Sequence, residues 1–201
     1  EESIFGSANN ILMASSFYFI HDKNNNKVLC FDIKGRFVNQ IGKKGTGPYE
    51  YVEAYDVSLD KKNKLISILD LRGRKVKKYK YNGDFYESVS IYYYYSLHEY
   101  YDDYLVLRTG KANNSYVPEI DGYNLIFSEL NQSPFAKGFK TPEINNTYSS
   151  LKPLRKFQDK IYYHQPFSNS IWFANNKKIL PLINFKFEKN GFPGDTWKKD
   201  V

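Results

Sequence analysis

Apolar positions along this chain come in short runs broken by brief polar turns, and no stretch shows the three-to-four spacing of an amphipathic helix. The pattern is clearest in the middle. Residues Ala54 to Asp60 read as a strand, Lys61 to Lys64 as a turn, and Leu65 to Asp70 as a second strand. After the turn Leu71 to Arg74, Lys75 to Tyr81 makes a third strand. Asn82-Gly83 is a strong hairpin dipeptide, and Phe85 to Ile91 makes the fourth. Connections this short cannot carry a parallel crossover, which needs about a dozen residues. The unit is therefore predicted to be a four-stranded antiparallel meander.

The unit is repeated. Residues Asp22 to Ile41 recur without a gap as Asp70 to Val89, 48 positions later: Val28 matches Val76, Phe31 matches Tyr79, Gly35 matches Gly83 and Phe37 matches Phe85. A period of this size marks a supersecondary unit that buries its apolar surface against its neighbours. The second strands, Phe17-Tyr-Phe-Ile20, Leu65-Ile-Ser-Ile-Leu69, Tyr104-Leu-Val-Leu107 and Ile161-Tyr-Tyr163, are nearly continuous apolar runs. A sheet with one wet face alternates, so these strands must be covered on both faces. With no helices to do it, sheets must stack on sheets, as propeller blades do around an axis. The predicted fold class is all-β, a single β-propeller of four-stranded blades over residues 1–201. Its blades fall at approximately 10–42, 54–91, 92–140 and 149–187, the third with a polar insertion from Thr109 to Gly122. His164 occupies the repeat position of Asp22 and Asp70, and Glu188 to Val201 reads as a connection leading onward. Two arrangements remain, a piece of a larger propeller or a closed four-bladed ring, and the former is favoured. An open arc would leave apolar faces on its end blades, to be covered by a second chain or by further sequence.

The segment Phe31-Asp-Ile-Lys-Gly-Arg-Phe-Val-Asn-Gln-Ile-Gly42, followed by Lys43-Lys-Gly-Thr-Gly-Pro-Tyr-Glu-Tyr51, resembles a six-bladed β-propeller family abundant in Bacteroidetes and distantly related to NHL-repeat propellers. Gly42, Gly45, Gly47, Pro48, Glu50 and Tyr51 match that family's inter-blade loop, while Tyr49 stands where the family has glycine. The segment Phe185 to Pro193 is similar to the family's passage between its fourth and fifth blades. The resemblance implies about two further blades and a leader, and an exported, lipid-anchored protein facing the periplasm or associated with the outer membrane. It implies no assigned activity.

Composition changes this picture little. Among 201 residues, 41% are apolar, with 19 Tyr and 15 Phe, which suits packed strands. The net charge of +7 is interleaved with 22 acids along the whole chain, so it describes a basic surface and not a nucleic-acid groove. A single cysteine, Cys30, excludes an internal disulfide framework, and no apolar run reaches the roughly 18 residues of a membrane span.

Candidate chemistry is sparse. The glycine loop is not a phosphate cradle, because Pro48 and another strand follow it where a Walker loop opens a helix. Gly42, Gly45, Gly47, Pro48 and Glu50 are read as a structural loop. Asp22 and Asp70 end strands ahead of turns and are read as acceptors of turn N–H groups. His21, His98 and His164 show no metal-ligand spacing. The basic stretch Arg72 to Lys80 is read as a solvated outer strand. Within the tyrosine tract Tyr92 to Tyr95, and in Tyr100, Tyr101 and Tyr104, the rings either pack between blades or line the channel. Tyr93, Tyr95, Tyr100 and Tyr101 are the ligand-binding candidates, with Tyr92 to Tyr95 placed in an innermost strand. The expected function is a non-catalytic binding or scaffold module of an exported protein. Its partner is a glycan, peptide or protein at the channel mouth or blade loops, with self-association through exposed end blades. No cofactor, metal, catalytic residue, nucleic acid or membrane span is expected. The alternative is a propeller lyase or hydrolase with an axial metal or polar site.

Overall fold

Burial in the second repeat falls steadily from strand to strand. Every residue of β5 (Asp56–Asp60) and β6 (Leu65–Asp70) is buried, β7 (Lys75–Lys80) is buried only in its centre, and β8 (Phe85–Ser90) alternates. An innermost strand covered on all sides and an outermost strand with one wet face are what a radial stack of sheets requires. The computed structural model describes residues 4–109, 114–130, 132–140, 152–158, 160–165, 168–175 and 178–187. These form four antiparallel four-stranded sheets in a ring, a four-blade β-propeller, with no helix among the described residues.

Blade one is β1 (Asn10–Ala14), β2 (Phe17–Asp22), β3 (Lys27–Asp32) and β4 (Phe37–Gln40), in chain order across the sheet. Blade two is β5 to β8. Blade three is β9 (Leu97–Tyr101), β10 (Tyr104–Arg108), β11 (Tyr123–Ser128) and β12 (Ala136–Lys140). Blade four is β13 (Leu154–Phe157), β14 (Lys160–His164), β15 (Ser170–Asn175) and β16 (Lys178–Asn184). The repeated pair shares one irregularity: the register shifts between Cys30 and Phe31 in blade one and between Lys78 and Tyr79 in blade two. The repeat in sequence is therefore a repeat in geometry, bulge included.

Three apolar cores lie between successive blades. Phe19, Val28 and Cys30 of blade one meet Val57, Ile66 and Ile68 of blade two. Leu69 and Val76 on the opposite face of blade two meet Tyr95, Leu105 and Ile126. Tyr104, Val106 and Phe127 of blade three meet Leu154, Ile161 and Tyr163. The unbroken run Leu65 to Leu69 is explained by this: its residues alternate between two different cores, not between core and water. Between blades four and one the described residues form no such core. That seam is bridged by Lys152 donating to the Asn9 carbonyl and Arg155 Nη1 donating to Asn10 Oδ1 at 3.2 Å. Ile11 and Met13 on the seam face of β1 are each 59% exposed, and Phe157 on β13 is 63% exposed.

One strand assignment changes. The innermost strand of blade three is β9, beginning at Leu97, and not the tract Tyr92 to Tyr95. The Asn114 side chain takes both backbone groups of Tyr94, accepting from its N–H at 2.8 Å and donating to its C=O at 3.0 Å. A backbone capped in this way from the insertion cannot join the ladder. The connection after residue 187, Trp197 and part of the polar insertion lie outside the described residues.

Candidate functional site

The innermost strands β1, β5, β9 and β13 stand around the axis, and their N-terminal ends converge on one mouth of about 400 Å³. Every blade contributes to its wall. Blade one supplies Asn9, His21 and Lys23, blade two Tyr55 and Asp56, blade three Ser96 and Arg108, and blade four Lys152 and Arg155. The four-fold repetition makes these positions near-equivalent in the fold, so their chemical differences are what give the mouth its character. Lys23 sits over the Tyr55 ring at 3.8 Å, and Arg108 Nη1 donates to Ser96 Oγ at 2.9 Å. Burial, together with Arg155 and Lys23 nearby, pulls Lys152 down to about 8 despite the opposing pull of Asp56 and Glu99. His21 is also held below its ordinary value by burial, partly offset by its 2.7 Å hydrogen bond to the Ala54 carbonyl.

Deeper on the axis lies Glu99 of β9, which accepts from Ser58 Oγ at 3.0 Å. Burial, helped by the nearby Asp56 carboxylate, pushes Glu99 up to about 8, so it is mostly protonated at neutral pH. Below the mouth, Asp56, His98 and Ser67 form a hydrogen-bonded chain. Asp56 Oδ2 accepts from the His98 backbone N–H at 2.9 Å and from His98 Nδ1 at 2.8 Å, while His98 Nε2 lies 2.9 Å from Ser67 Oγ. With Nδ1 directed at the carboxylate, Nε2 faces the Ser67 hydroxyl. The order copies an acid–base–nucleophile triad. Ser67 is nevertheless 0% and His98 1% exposed, so no substrate carbonyl can reach the hydroxyl. Aromatic rings close the space on both sides, with Tyr95 at 6.4 Å and Tyr100 at 6.2 Å from the His98 ring. The chain joins β5 and β6 of blade two to β9 of blade three and acts as a lock between blades.

The tyrosines lie mostly between blades. Tyr93, Tyr95 and Tyr100 are 4%, 3% and 7% exposed and belong to the core between blades two and three. The Tyr93 hydroxyl donates into blade three, to Ser128 Oγ at 2.6 Å or the Gln132 carbonyl at 2.9 Å. Tyr101, half-buried, packs on Tyr104 at 5.2 Å. Large rings fill the wedge-shaped gap between blades, and burying them there removes their faces from solvent.

The glycine loop is closed on itself. Gly47 N–H donates to Glu50 Oε2 at 2.9 Å, Gly45 N–H to the Tyr51 carbonyl at 2.9 Å, and Tyr51 N–H to the Lys43 carbonyl at 3.1 Å. Those amides are occupied and cannot cradle a phosphate. Gly42 sits at φ +58°, and a Cβ there would lie 2.6 Å from the Tyr79 ring. Pro48 and Tyr49 accept through their carbonyls from Lys77 Nζ at 2.8 Å and the Tyr79 hydroxyl at 2.9 Å. The loop borders a shallow cleft of about 680 Å³ with Tyr79 and Phe85.

Asp22 and Asp70 do the turn work expected of them. Asp70 accepts from Val52, Glu53 and Gly73 N–H groups at 2.9, 3.1 and 2.9 Å. Burial alone would raise Asp22, but hydrogen bonds from Asn25, Gly6 and Ser7 outweigh it and hold it at about 2. The three histidines do not meet: His21 binds Ala54, His98 binds Asp56 and Ser67, and His164 binds the Ser168 carbonyl at 3.0 Å. Among the described residues no group of three or more His, Cys, Asp or Glu could hold a metal ion. The basic stretch is engaged locally: Arg72 pairs with Glu53 at 3.3 Å and Lys78 with Glu87 at 2.8 Å. Sequence reasoning missed Asp56, Ser67, Glu99 and the mouth cations. The usable signal was spacing, since Asp56 and His98 lie 42 apart and Ser58 and Glu99 41 apart, close to one repeat.

The fold and its axial mouth define a β-propeller. The chain belongs to the family described as domain of unknown function DUF4934, whose profile matches residues 1–200. No curated protein matches it in sequence. Its fold is similar to a Bacteroides fragilis protein described as exported, with a TM-score of 0.82 at 20% identity, covering 94% of this chain and 53% of that one. A Bacteroides vulgatus member of the DUF4221 family gives 0.54 at 11% identity, covering 92% and 62%. Hydrazine synthase of Kuenenia stuttgartiensis gives 0.51 at 7% identity, covering 90% and 51%. The chain thus spans between 51% and 62% of the length of these structures. At these identities the likeness is one of fold. No helix among the described residues is long and apolar enough to cross a membrane.

Proposed function

We propose that this chain is the binding module of an exported protein and takes its ligand, a glycan, peptide or protein, at the axial mouth. The observation that carries the reading is the mouth itself: about 400 Å³, walled by every blade, with polar and charged groups converging on it. Small-ligand sites are typically concave spaces of about 300–1,000 Å³ with a few placed polar groups. The triad-like chain seen among the described residues is sealed inside an inter-blade core, which favours binding over catalysis. Export rests on the fold likeness to the Bacteroides fragilis protein. The test is a glycan and peptide binding screen on the full-length protein, with binders mapped by NMR or by loss on Tyr55→Ala. A ligand that binds and ignores the mouth defeats the reading.

The seam supports a further reading, that these blades are an arc of a propeller of about six. Three inter-blade cores serve four blades among the described residues, and Ile11, Met13 and Phe157 face the seam exposed. Blades seated on those faces, or a second copy, would cover them. They would also add to the wall of the same mouth.

A further inference from the structure

Resting on the axial-mouth reading, we propose that the ligand is an acidic saccharide, a sugar unit bearing a carboxylate or sulfate that sits among Lys23, Arg108, Lys152 and Arg155. These four cations border one mouth. Among the described residues none is paired with a carboxylate: Lys23 faces the Tyr55 ring, Arg108 the Ser96 hydroxyl, Lys152 a carbonyl and Arg155 an amide oxygen. Elsewhere the same chain pairs exposed cations readily, as in Arg36–Asp32 at 2.7 Å and Lys43–Glu50 at 3.2 Å.

The acids near the mouth do not cancel this charge. Among the described residues Asp56 is the one carboxylate on the wall, and its Oδ2 is held by two N–H groups of His98. Glu99, deeper, keeps its proton to about pH 8. The depressed proton affinity of Lys152 registers the same unbalanced field, because after burial its largest cause is the neighbouring Arg155. A concave wall with an unbalanced set of cations concentrates anions.

The rest of the wall favours a sugar as the carrier of that charge. Two guanidinium groups present planar forks that match a carboxylate or sulfate with two parallel hydrogen bonds. Asn9 and Ser96 can exchange hydrogen bonds with hydroxyls, and the Tyr55 ring offers a flat apolar surface at the rim. A space of about 400 Å³ suits one or two sugar rings and is short for an extended peptide.

The experiment uses the full-length protein and titration calorimetry with a galacturonate disaccharide and a sulfated disaccharide. The comparators are the neutral galactose disaccharide and an acidic peptide. At least one acidic sugar should bind about tenfold or more tighter than the neutral one, and Arg155→Gln or Lys152→Gln should remove most of that difference. Arg155 is exposed and its hydrogen bond across the seam, to Asn10, is neutral at the acceptor. Its substitution should therefore lower the melting temperature by about 2–4 °C or less, which a thermal melt checks. Affinity should fall about tenfold from pH 7 to 9 as Lys152 loses its proton among Arg155, Lys23, Arg108, His21, Asp56 and Glu99. Added salt should weaken binding. Equal affinity for neutral and acidic sugars, with both lost on Tyr55→Ala, overturns the acidic-sugar proposal and keeps the mouth. Binding of the acidic peptide alone overturns the sugar and keeps the anion site. Binding that no mouth substitution affects overturns the mouth as well.

Discussion

Removing the Asp56 carboxylate tests the lock between blades two and three. Asp56 is 6% exposed and is the acceptor for two N–H groups of His98. Asp56→Ala leaves both donors buried without a partner, at about 1–3 kcal/mol each. It also opens a small void. Breaking a buried pair from one side costs about 3–5 kcal/mol as a whole, a large part of the roughly 5–15 kcal/mol that stabilises a domain. At about 2–4 °C per kcal/mol for a chain this size, the melting temperature should drop by roughly 6–20 °C. Ser67→Ala loses one neutral hydrogen bond at the far end of the same chain and should cost only about 1–2 kcal/mol. Because both act through His98, the double variant should cost less than the sum of the two. Urea and thermal melts of the three variants, followed by tyrosine fluorescence, measure all of this. Strict additivity, or a cost below about 1 kcal/mol for Asp56→Ala, would refute the lock. Ester hydrolysis abolished by Ser67→Ala would refute it from the other side, by showing that a substrate reaches the hydroxyl.

Glu99→Gln should change how stability depends on pH. The folded carboxyl keeps its proton to about 8 while the unfolded one releases it near 4.5, so native stability falls as pH rises between those values, by up to about 1.4 kcal/mol per unit. The Gln variant should lack that slope, and parallel denaturation curves from pH 5 to 8 would sink the idea. Gly42→Ala, at φ +58° and facing the Tyr79 ring, should cost about 1–3 kcal/mol and loosen the glycine loop, read as faster amide exchange at Gly45 and Gly47. Ile11→Asn with Met13→Asn should leave stability of residues 1–201 within about 0.5 kcal/mol while reducing self-association in sedimentation runs. A monodisperse monomer before the substitution would argue against uncovered seam faces.

Much of the architecture was legible because its causes are local. Lys61 to Lys64, Leu71 to Arg74 and Asn82-Gly83 dictate hairpins by turn chemistry alone, and the strands they connect lie within a residue or two of expectation. The unbroken run Leu65 to Leu69 announced cover on both faces, and the two cores that flank it are that cover. Where the reading slipped, a distant group intervened: the Asn114 side chain caps Tyr94 from 20 residues away, so the tyrosine tract is not a strand. The mouth was illegible for the same reason. Lys23, Tyr55, Arg108 and Arg155 belong to no motif, and each is unremarked in its own neighbourhood.

From its sequence alone this chain is committed to repeated four-stranded meanders, because hairpin turns and apolar runs act between residues close along the backbone. The tertiary stack decided everything that depends on which repeats face one another. It buried Tyr93, Tyr95 and Tyr100 between blades, sealed a triad-like chain where no substrate can enter, and left four cations around one mouth that pair with no carboxylate among the described residues. Pairings across 40 or more residues are set by how sheets twist and stack, and no local rule of spacing contains that geometry.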